Sequence, residues 1–287
     1  MNMHDKIQKE NINPKHYSEG TQKIKCPSCQ PHDHNPKDNP LSFTINGGTA
    51  VWNCHHCEYK GAAGTTNFVT APKKVYVTPA EPVSAQTPST MYSYFAERGI
   101  SKETVTKKDI YIDNKVWIAL PYKDENAKVV NIKYRTRDKK FKQSPNAVRT
   151  LYNYDLAKNE DVVIFVEGEI DVLSCIEVGF DNVVSLPDGA PAEATFKEND
   201  ARFTALKNCP LSASKIILFT DNDSAGKSLH SELLHRFGKD MCWFVDYPSD
   251  CKDANEVLLK HGAERLRDII NNAAPYPVDG LYTANEY

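Results

Sequence analysis

Twice in this chain an apolar run of strand length ends in an acid and passes at once into a helical pattern. Val162-Val163-Ile164-Phe165-Val166 delivers Glu167, and Ile216-Ile217-Leu218-Phe219-Thr220 delivers Asp221 and then Asp223. Strands alternating with helices predict parallel pairing, which needs crossover helices and places ligands outside the carboxyl ends of the strands. Alternate residues of an extended chain share a side, so Asp221 and Asp223 present their carboxylates together if the extension persists. With Glu167 they make a seat for a hard divalent cation, which takes oxygen ligands.

The same alternation continues on both sides. Ile170, Leu173 and Ile176 recur at helical spacing and Gly179 stops the run. A short strand is expected at Asn182 to Leu186 and a helix from Phe196 to Cys209. Leu229, Leu233 and Phe237 line one helix face with Gly238 past its end; Met241 to Val245 reads as a strand, and Asp253 caps a helix through Leu259. The expected fold class is α/β here, with a mainly parallel sheet, and α+β over the whole chain.

The N-terminal part follows different rules. Cys26-Pro27-Ser28-Cys29 and Cys54-His55-His56-Cys57 are two Cys-x-x-Cys hooks separated by 24 residues. Such hooks match a closed four-thiolate zinc site, which is structural because no coordination position stays open. Between them Leu41 to Ile45 alternates, Asn46-Gly47-Gly48 signals a turn, and Thr49 to Asn53 reads as the return strand. This predicts a zinc ribbon. His32, His34, His55 and His56 lie close in sequence but are expected at the surface, since four thiolates already complete the shell. Trp52, Phe43 and Tyr59 either stack on single-stranded bases or pack over the small ribbon core, with packing the expectation for Phe43.

Between the hooks and the α/β part, 70–90 is rich in Pro, Ala, Thr and Ser and reads as a linker. A short helix from Met91 to Glu97, a second one capped by Ser101, and strands at Asp109 to Asp113, Lys115 to Tyr122 and Lys128 to Thr136 come next. In the last strand Lys133, Arg135 and Arg137 alternate with Ile132, Tyr134 and Thr136, and Lys140 and Lys142 repeat the arrangement. A period of two puts such cations on one face, which serves either as a phosphate platform or as a solvated edge.

Net charge is only −3, but the charges are segregated. Lys128 to Arg149 holds eight Lys or Arg against Asp138, whereas Glu160 to Asp200 holds eleven Asp or Glu against Lys197. A basic block beside an acidic one fits a polyanion held near a metal-charged centre. Paired Cys-x-x-Cys hooks argue against a disulfide framework. With no apolar run near the ~18 residues of a span, and no signal-peptide core, the chain reads as cytosolic and free of the membrane.

Glu167-Gly168-Glu169-Ile170-Asp171, Asp221-Asn222-Asp223 and Lys252-Asp253-Ala254-Asn255-Glu256 together resemble the Toprim domain. With the ribbon in front and the basic block between, the chain from about Thr21 to Ala274 is similar to the primase part of bacteriophage-type primase-helicases. The resemblance implies short RNA primers made on a single-stranded DNA template from ribonucleoside triphosphates. A replicative helicase in cis or trans and a replicative DNA polymerase would be partners, in the host cytoplasm for a phage protein. It implies structural zinc on Cys26, Cys29, Cys54 and Cys57, and catalytic magnesium or manganese on Glu167, Asp221 and Asp223. Glu169, Asp171 and Asp253 match further acidic positions, and Lys133, Arg135 and Lys142 match basic ones that contact nucleotide and template. Trp52 joins this set on the ribbon, which would be the template reader.

Read from the residues alone, Glu167 is a ligand or a general base, Glu169 and Asp171 are ligands or helix-start acids, and Asp253 is a ligand or an N-cap. The expected domains are a ribbon at 1–69, the linker at 70–90, a basic subdomain at 91–160, a Toprim domain at 161–274 and a connector at 275–287. Gly226-Lys227-Ser228 imitates the end of a phosphate-binding loop, but the leading glycine would fall at Asp221, so no helicase motor is expected. Val51 stands where the phage relatives carry a template-reading histidine, and the ribbon is longer between its hooks. Competing readings are a non-catalytic single-strand DNA adaptor and a Toprim nuclease or topoisomerase. Retention of all three acids speaks against the adaptor, and the short chain against strand passage.

Overall fold

The computed structural model of the chain describes residues 3–29, 38–57, 59–64, 76–79, 89–114 and 116–276. It divides into two compact units, Met1–Lys73 and Lys74–Tyr287.

The first unit contains helix α1 (Met3–Lys9) and strands β1 (Gly20–Ile24), β2 (Leu41–Asn46), β3 (Thr49–Cys54) and β4 (Lys60–Gly64), an antiparallel sheet in the order β1-β2-β3-β4. The expected hairpin is its centre, with Phe43 opposite Trp52 in the register. Two flanking strands and α1 were not expected. The KGAAG composition of β4 carries no strand signal, yet its small residues have a packing reason. A Cβ at Gly61 would meet the Trp52 indole at 2.6 Å, so the ring lies flat on the glycine backbone. Ile7 of α1 and Ile12 are buried with Leu41, Phe43, Ile45 and Trp52, which gives this small core a lid. The Tyr59 hydroxyl donates to Glu10 Oε2 at 2.8 Å and closes the same side.

The second unit opens with α2 (Ser89–Ala96) and α3 (Lys102–Lys107), the latter capped by Ser101 as expected. Strands β5 (Tyr111–Asp113), β6 (Trp117–Lys123), β7 (Val129–Arg135) and β8 (Phe141–Gln143) form an antiparallel sheet in sequence order. Then come α4 (Tyr154–Ala157), β9 (Val162–Val166), α5 (Glu169–Glu177), β10 (Val183–Ser185), α6 (Thr204–Asn208), β11 (Lys215–Phe219), α7 (Ser224–Phe237), β12 (Cys242–Phe244), α8 (Ala254–Asn271) and β13 (Ala274–Pro275). Their sheet runs β10-β9-β11-β12-β13, parallel except for the last pair. The α/β fold class with a mainly parallel sheet is therefore the observed one.

The continuous apolar runs of β9 and β11 are explained by burial on both faces. Ile164, Val166, Ile217 and Phe219 pack toward α5 and α8, and Val163, Phe165, Ile216 and Leu218 pack with Leu229 and Leu233 of α7. Burying each such side chain contributes about 1.5–3 kcal/mol. The first of these cores also takes in Ile118, Leu120 and Tyr122 of β6, so the strand-rich part and the parallel sheet share one interior.

Three expectations change. The helix expected from Phe196 shrinks to a 3-10 turn at Ala201–Phe203 and α6, because Glu232 holds the Thr195 and Phe196 amides at 2.6 and 2.9 Å and Phe196 takes φ 54°. The helix after Asp253 continues beyond a break at Gly262, where φ is 82°. Pro275 pairs with Trp243 as part of the sheet rather than starting a connector. From 277 onward that connector lies outside the described residues, as does most of the 70–90 linker, whose Ser89 and Thr90 already belong to α2.

Candidate active site and metal centre

In the first unit Cys26, Cys29, Cys54 and Cys57 bring their sulfurs together within 4.8 Å of one another. Cys26 and Cys57 are 3.6 Å apart and Cys29 and Cys54 are 3.7 Å apart. Four sulfurs about 2.3 Å from a common tetrahedral centre stand about 3.8 Å apart, so the cluster fits zinc without rearrangement. His56 instead meets Asp38 at 3.3 Å on the surface. His32 and His34 lie outside the described residues.

In the second unit the acids gather at the carboxyl ends of β9 and β11. Glu167 follows β9; its Oε2 is buried and has no hydrogen-bond partner among the described residues. Burial, then the charge of Asp223, pushes its carboxyl above the usual range. Asp171, in the first turn of α5, accepts the Asn255 amide at 3.2 Å and is pushed well up by burial and then by Asp253 and Asp221. Asp221 is pushed up to about 7, chiefly by burial and then by Glu167 and Asp253. The three carboxyls, raised by burial and by one another, form a cluster of like charge.

Two acids also hold the backbone. Asp223 caps α7 by accepting the Gly226 amide at 2.9 Å, and Asp253 caps α8 by accepting the Glu256 amide at 2.7 Å. The Asn222 amide donates to the Lys252 carbonyl at 2.6 Å, which ties the two acid-bearing loops together. Lys252 Nζ lies 3.0 Å from Asp253 and 3.9 Å from Asp221.

Glu167, Asp221 and Asp223 do not form a tight group; the described residues assemble such groups only from the four cysteines and from Asp250, Cys251 and His261. Asp223 commits one carboxylate oxygen to capping α7. The donor set of the three acids still suits a hard divalent cation that keeps several waters and borrows phosphate oxygens. The unpartnered Glu167 Oε2 is the orphan such an ion would satisfy.

A cleft of about 720 Å³ joins Glu167, Asp171, Asp221 and Asp253 to Lys133, Arg135, Lys142, Arg149 and Lys252. The expected alternation on β7 holds, but the cationic face turns inward. Lys133 and Arg135 pair with Leu120 and Ile118, whose side chains enter the shared core, and are only 9% and 7% exposed. They form a buried wall facing the acids and not an open platform. Lys142 also lines the cleft, although it pairs with Tyr134 and carries its Nζ 4.5 Å from the Trp117 ring centre and 4.8 Å from that of Tyr134.

A family model described as Toprim-like matches residues 164–258. The chain is 34% identical over 279 residues to the Primase homolog protein of Arabidopsis thaliana, with 88% of this chain and 81% of the relative aligned. The chain belongs to the phage-type primase family. The chain is also 34% identical over 289 residues to the Arabidopsis Twinkle homolog protein, chloroplastic/mitochondrial, covering 91% of the chain but 40% of that relative's length. A solved structure of bacteriophage T7 lagging-strand DNA polymerase, interacting with primase domains of two gp4 subunits bound to an RNA/DNA hybrid and dTTP, superposes with a TM-score of 0.53. It shares 30% identity over 63% of this chain and 91% of the matched one.

The Toprim-like match includes Glu167, Glu169, Asp171, Asp221, Asp223 and Asp253. Glu169 is withdrawn from the expected metal set: Lys133 Nζ contacts it at 2.7 Å and the Tyr122 hydroxyl donates to it. Trp52 is likewise withdrawn from base stacking, since it is 4% exposed and packs on Phe43. Val51, on the opposite side of β3, is 46% exposed. Arg149 and its partner Asp188 were missed, because both come from loops with no periodic signal. Lys252 was visible only as the residue before Asp253. No helix among the described residues is long and apolar enough to cross a membrane.

Proposed function

We propose that the chain makes short RNA primers on single-stranded DNA by nucleotidyl transfer assisted by magnesium or manganese. The observation that carries this reading is the cleft in which the orphaned acid Glu167 and the raised Asp221 face Arg135, Arg149 and Lys252. A ribonucleoside triphosphate brings four negative charges at most and a single-stranded template one per nucleotide; the guanidiniums of Arg135 and Arg149 are donors of the right kind for both.

Glu167, Asp221 and Asp223 would hold the divalent cation, with Asp171 and Asp253 shaping its field. The cation, when bound, makes the 3'-hydroxyl more acidic and offsets charge on the leaving pyrophosphate. Glu167 would serve either as a ligand of that cation or, instead, as the acceptor of the hydroxyl proton. Lys252 neutralises Asp221 and Asp253 until phosphate arrives, then turns toward it. The ribbon, held by structural zinc, would read the template through the face that carries Val51. A helicase and a DNA polymerase are the expected partners: a relative from Enterobacteria phage T3, 31% identical over 67% of this chain, is named DNA helicase/primase, and the T7 primase domains interact with a DNA polymerase.

The test is primer synthesis on random-sequence single-stranded DNA with labelled ribonucleotides and magnesium. Template-dependent short RNA that disappears in Asp221→Asn is the expected outcome. DNA cleavage without RNA product would reject the proposal.

A further inference from the structure

Asp221 borders two cavities. The first is the basic cleft; the second lies beyond the end of β11, toward β12 and α7, and has a volume of about 480 Å³. The chemistry of the second differs. Its walls carry the rings of Phe244, Tyr247, Tyr276 and His230, while Lys227 and Asn222 supply polar groups.

These rings are held in position. Phe244 and Tyr276 have centroids 5.2 Å apart, and Tyr247 donates its hydroxyl to the Thr220 carbonyl at 2.7 Å. The Tyr276 hydroxyl bonds His230 Nε2, and His230 Nδ1 lies 3.4 Å from Thr220 Oγ1. Thr220 immediately precedes Asp221, so the ring cluster is braced against the strand that delivers the metal-site aspartate. Lys227, exposed in the second turn of α7, forms no ion pair among the described residues. An aromatic pocket with one unpaired cation and a shared wall at a metal site has the features of a nucleotide site: rings for the base, lysine for a phosphate.

We propose that this pocket binds the initiating ribonucleotide, the one that contributes the 3'-hydroxyl to the first bond. Its base stacks among Phe244, Tyr247 and Tyr276, and its 5'-phosphate meets Lys227. Its sugar then lies on the Asp221 side, opposite the triphosphate held in the basic cleft. Two nucleotides on either side of one aspartate satisfy the first joining step. The 3'-oxygen bonds to the α-phosphorus of the second nucleotide, the α–β phosphoanhydride breaks, pyrophosphate leaves, and the hydroxyl proton passes to Glu167. This assignment rests on the primase reading above and adds to it a location for the second substrate.

The test uses the full chain with Lys227→Ala and Tyr276→Ala; Lys227 meets Asp223 only through its backbone amide, which the alanine keeps. KM for the initiating nucleotide, measured in dinucleotide synthesis, is expected to rise about tenfold, a loss on the order of 1.4 kcal/mol. KM for the next nucleotide, measured on a preformed dinucleotide, should stay unchanged. No change in either KM, or an equal rise in both, would overturn the proposal. Direct binding of AMP or GMP to the full chain, followed by NMR, separates this failure from failure of the primase reading. Binding abolished by Tyr276→Ala supports the pocket even if no primer forms, and binding unaffected by both substitutions removes it even if primers do form.

Discussion

Lys133 Nζ and Glu169 Oε1 meet at 2.7 Å, joining β7 to the first turn of α5 with 11% and 4% of their side chains exposed. The pair fastens the antiparallel sheet to the parallel one, and the Tyr122 hydroxyl gives the carboxylate a second donor. Removing one partner of a buried pair costs about 3–5 kcal/mol, because the other charge stays buried. Lys133→Met should therefore lower the urea midpoint strongly, and Glu169→Gln in the same chain should recover part of the loss. If Lys133→Met melts like the parent and only nucleotide affinity falls, Lys133 is a ligand-facing cation and not a fastener.

The raised carboxyls set a pH dependence. Asp221, pushed up to about 7, ionises near 4 in the unfolded chain, and Glu167 and Asp171 are shifted in the same direction. Between about pH 4 and about pH 7 the folded protein thus holds more protons than the unfolded one. This contribution to stability falls as pH rises through that window and is level above it. Asp221→Asn should stabilise the metal-free protein at about pH 8 by an amount on the order of 1–3 kcal/mol. The same substitution should remove most of the stabilisation that magnesium gives the parent. Melting curves with and without magnesium check both signs. A parent chain indifferent to magnesium at about pH 8 would contradict the proposed metal seat.

Gly226 has a role that its sequence context disguises. A Cβ there would stand 2.8 Å from Asp221 Cα and collide with the Asp221 carbonyl, so α7 can pass this close only without a side chain. The glycine that imitates a phosphate loop is a packing contact that fixes the aspartate. Gly226→Ala should push Asp221 away from the cleft, lowering stability by about 1–3 kcal/mol and abolishing magnesium-dependent stabilisation. An alanine variant that retains magnesium-dependent stabilisation would show that the Asp221 position tolerates the shift.

The parallel sheet was legible because β9 and β11 are uninterrupted apolar runs followed by acids and helices, a pattern few other arrangements produce. The cysteine hooks were legible for a similar reason, as spacing alone limits their use. Local pattern failed where tertiary contacts decide the outcome. Periodicity put Lys133 and Arg135 on one face of β7, but it contains nothing about which face the parallel sheet covers. Lys142 pairs with Tyr134 because of the strand register, one residue out of phase with Lys133. Glu169 and Asp171 share the start of α5, yet one is matched by Lys133 and the other left among carboxylates; only the fold separates them. Short elements such as α1 and β4 gain their structure from Trp52 and Ile7, not from their own propensities.

The ribbon is expected to depend on zinc more than on its core. Its buried set is small, and a single core in a unit below roughly 70–80 residues rarely supplies more than about 3–5 kcal/mol. The four thiols lie where zinc fits, so zinc binding and folding of this unit should be one event. One zinc per chain is expected in reduced protein, and Cys54→Ser should unfold 3–64 while the parallel sheet keeps its own transition. Trp52, 4% exposed against Phe43, reports on this. With the other tryptophans, Trp117 and Trp243, replaced by phenylalanine, its emission should shift to longer wavelength when a chelator removes the metal. Trp52→Phe should leave template affinity nearly unchanged if zinc is retained, whereas Val51→Asp, on the exposed side of β3, should weaken it without releasing zinc. The opposite ranking, with template binding lost on Trp52→Phe at full zinc content, would return the indole to the binding face.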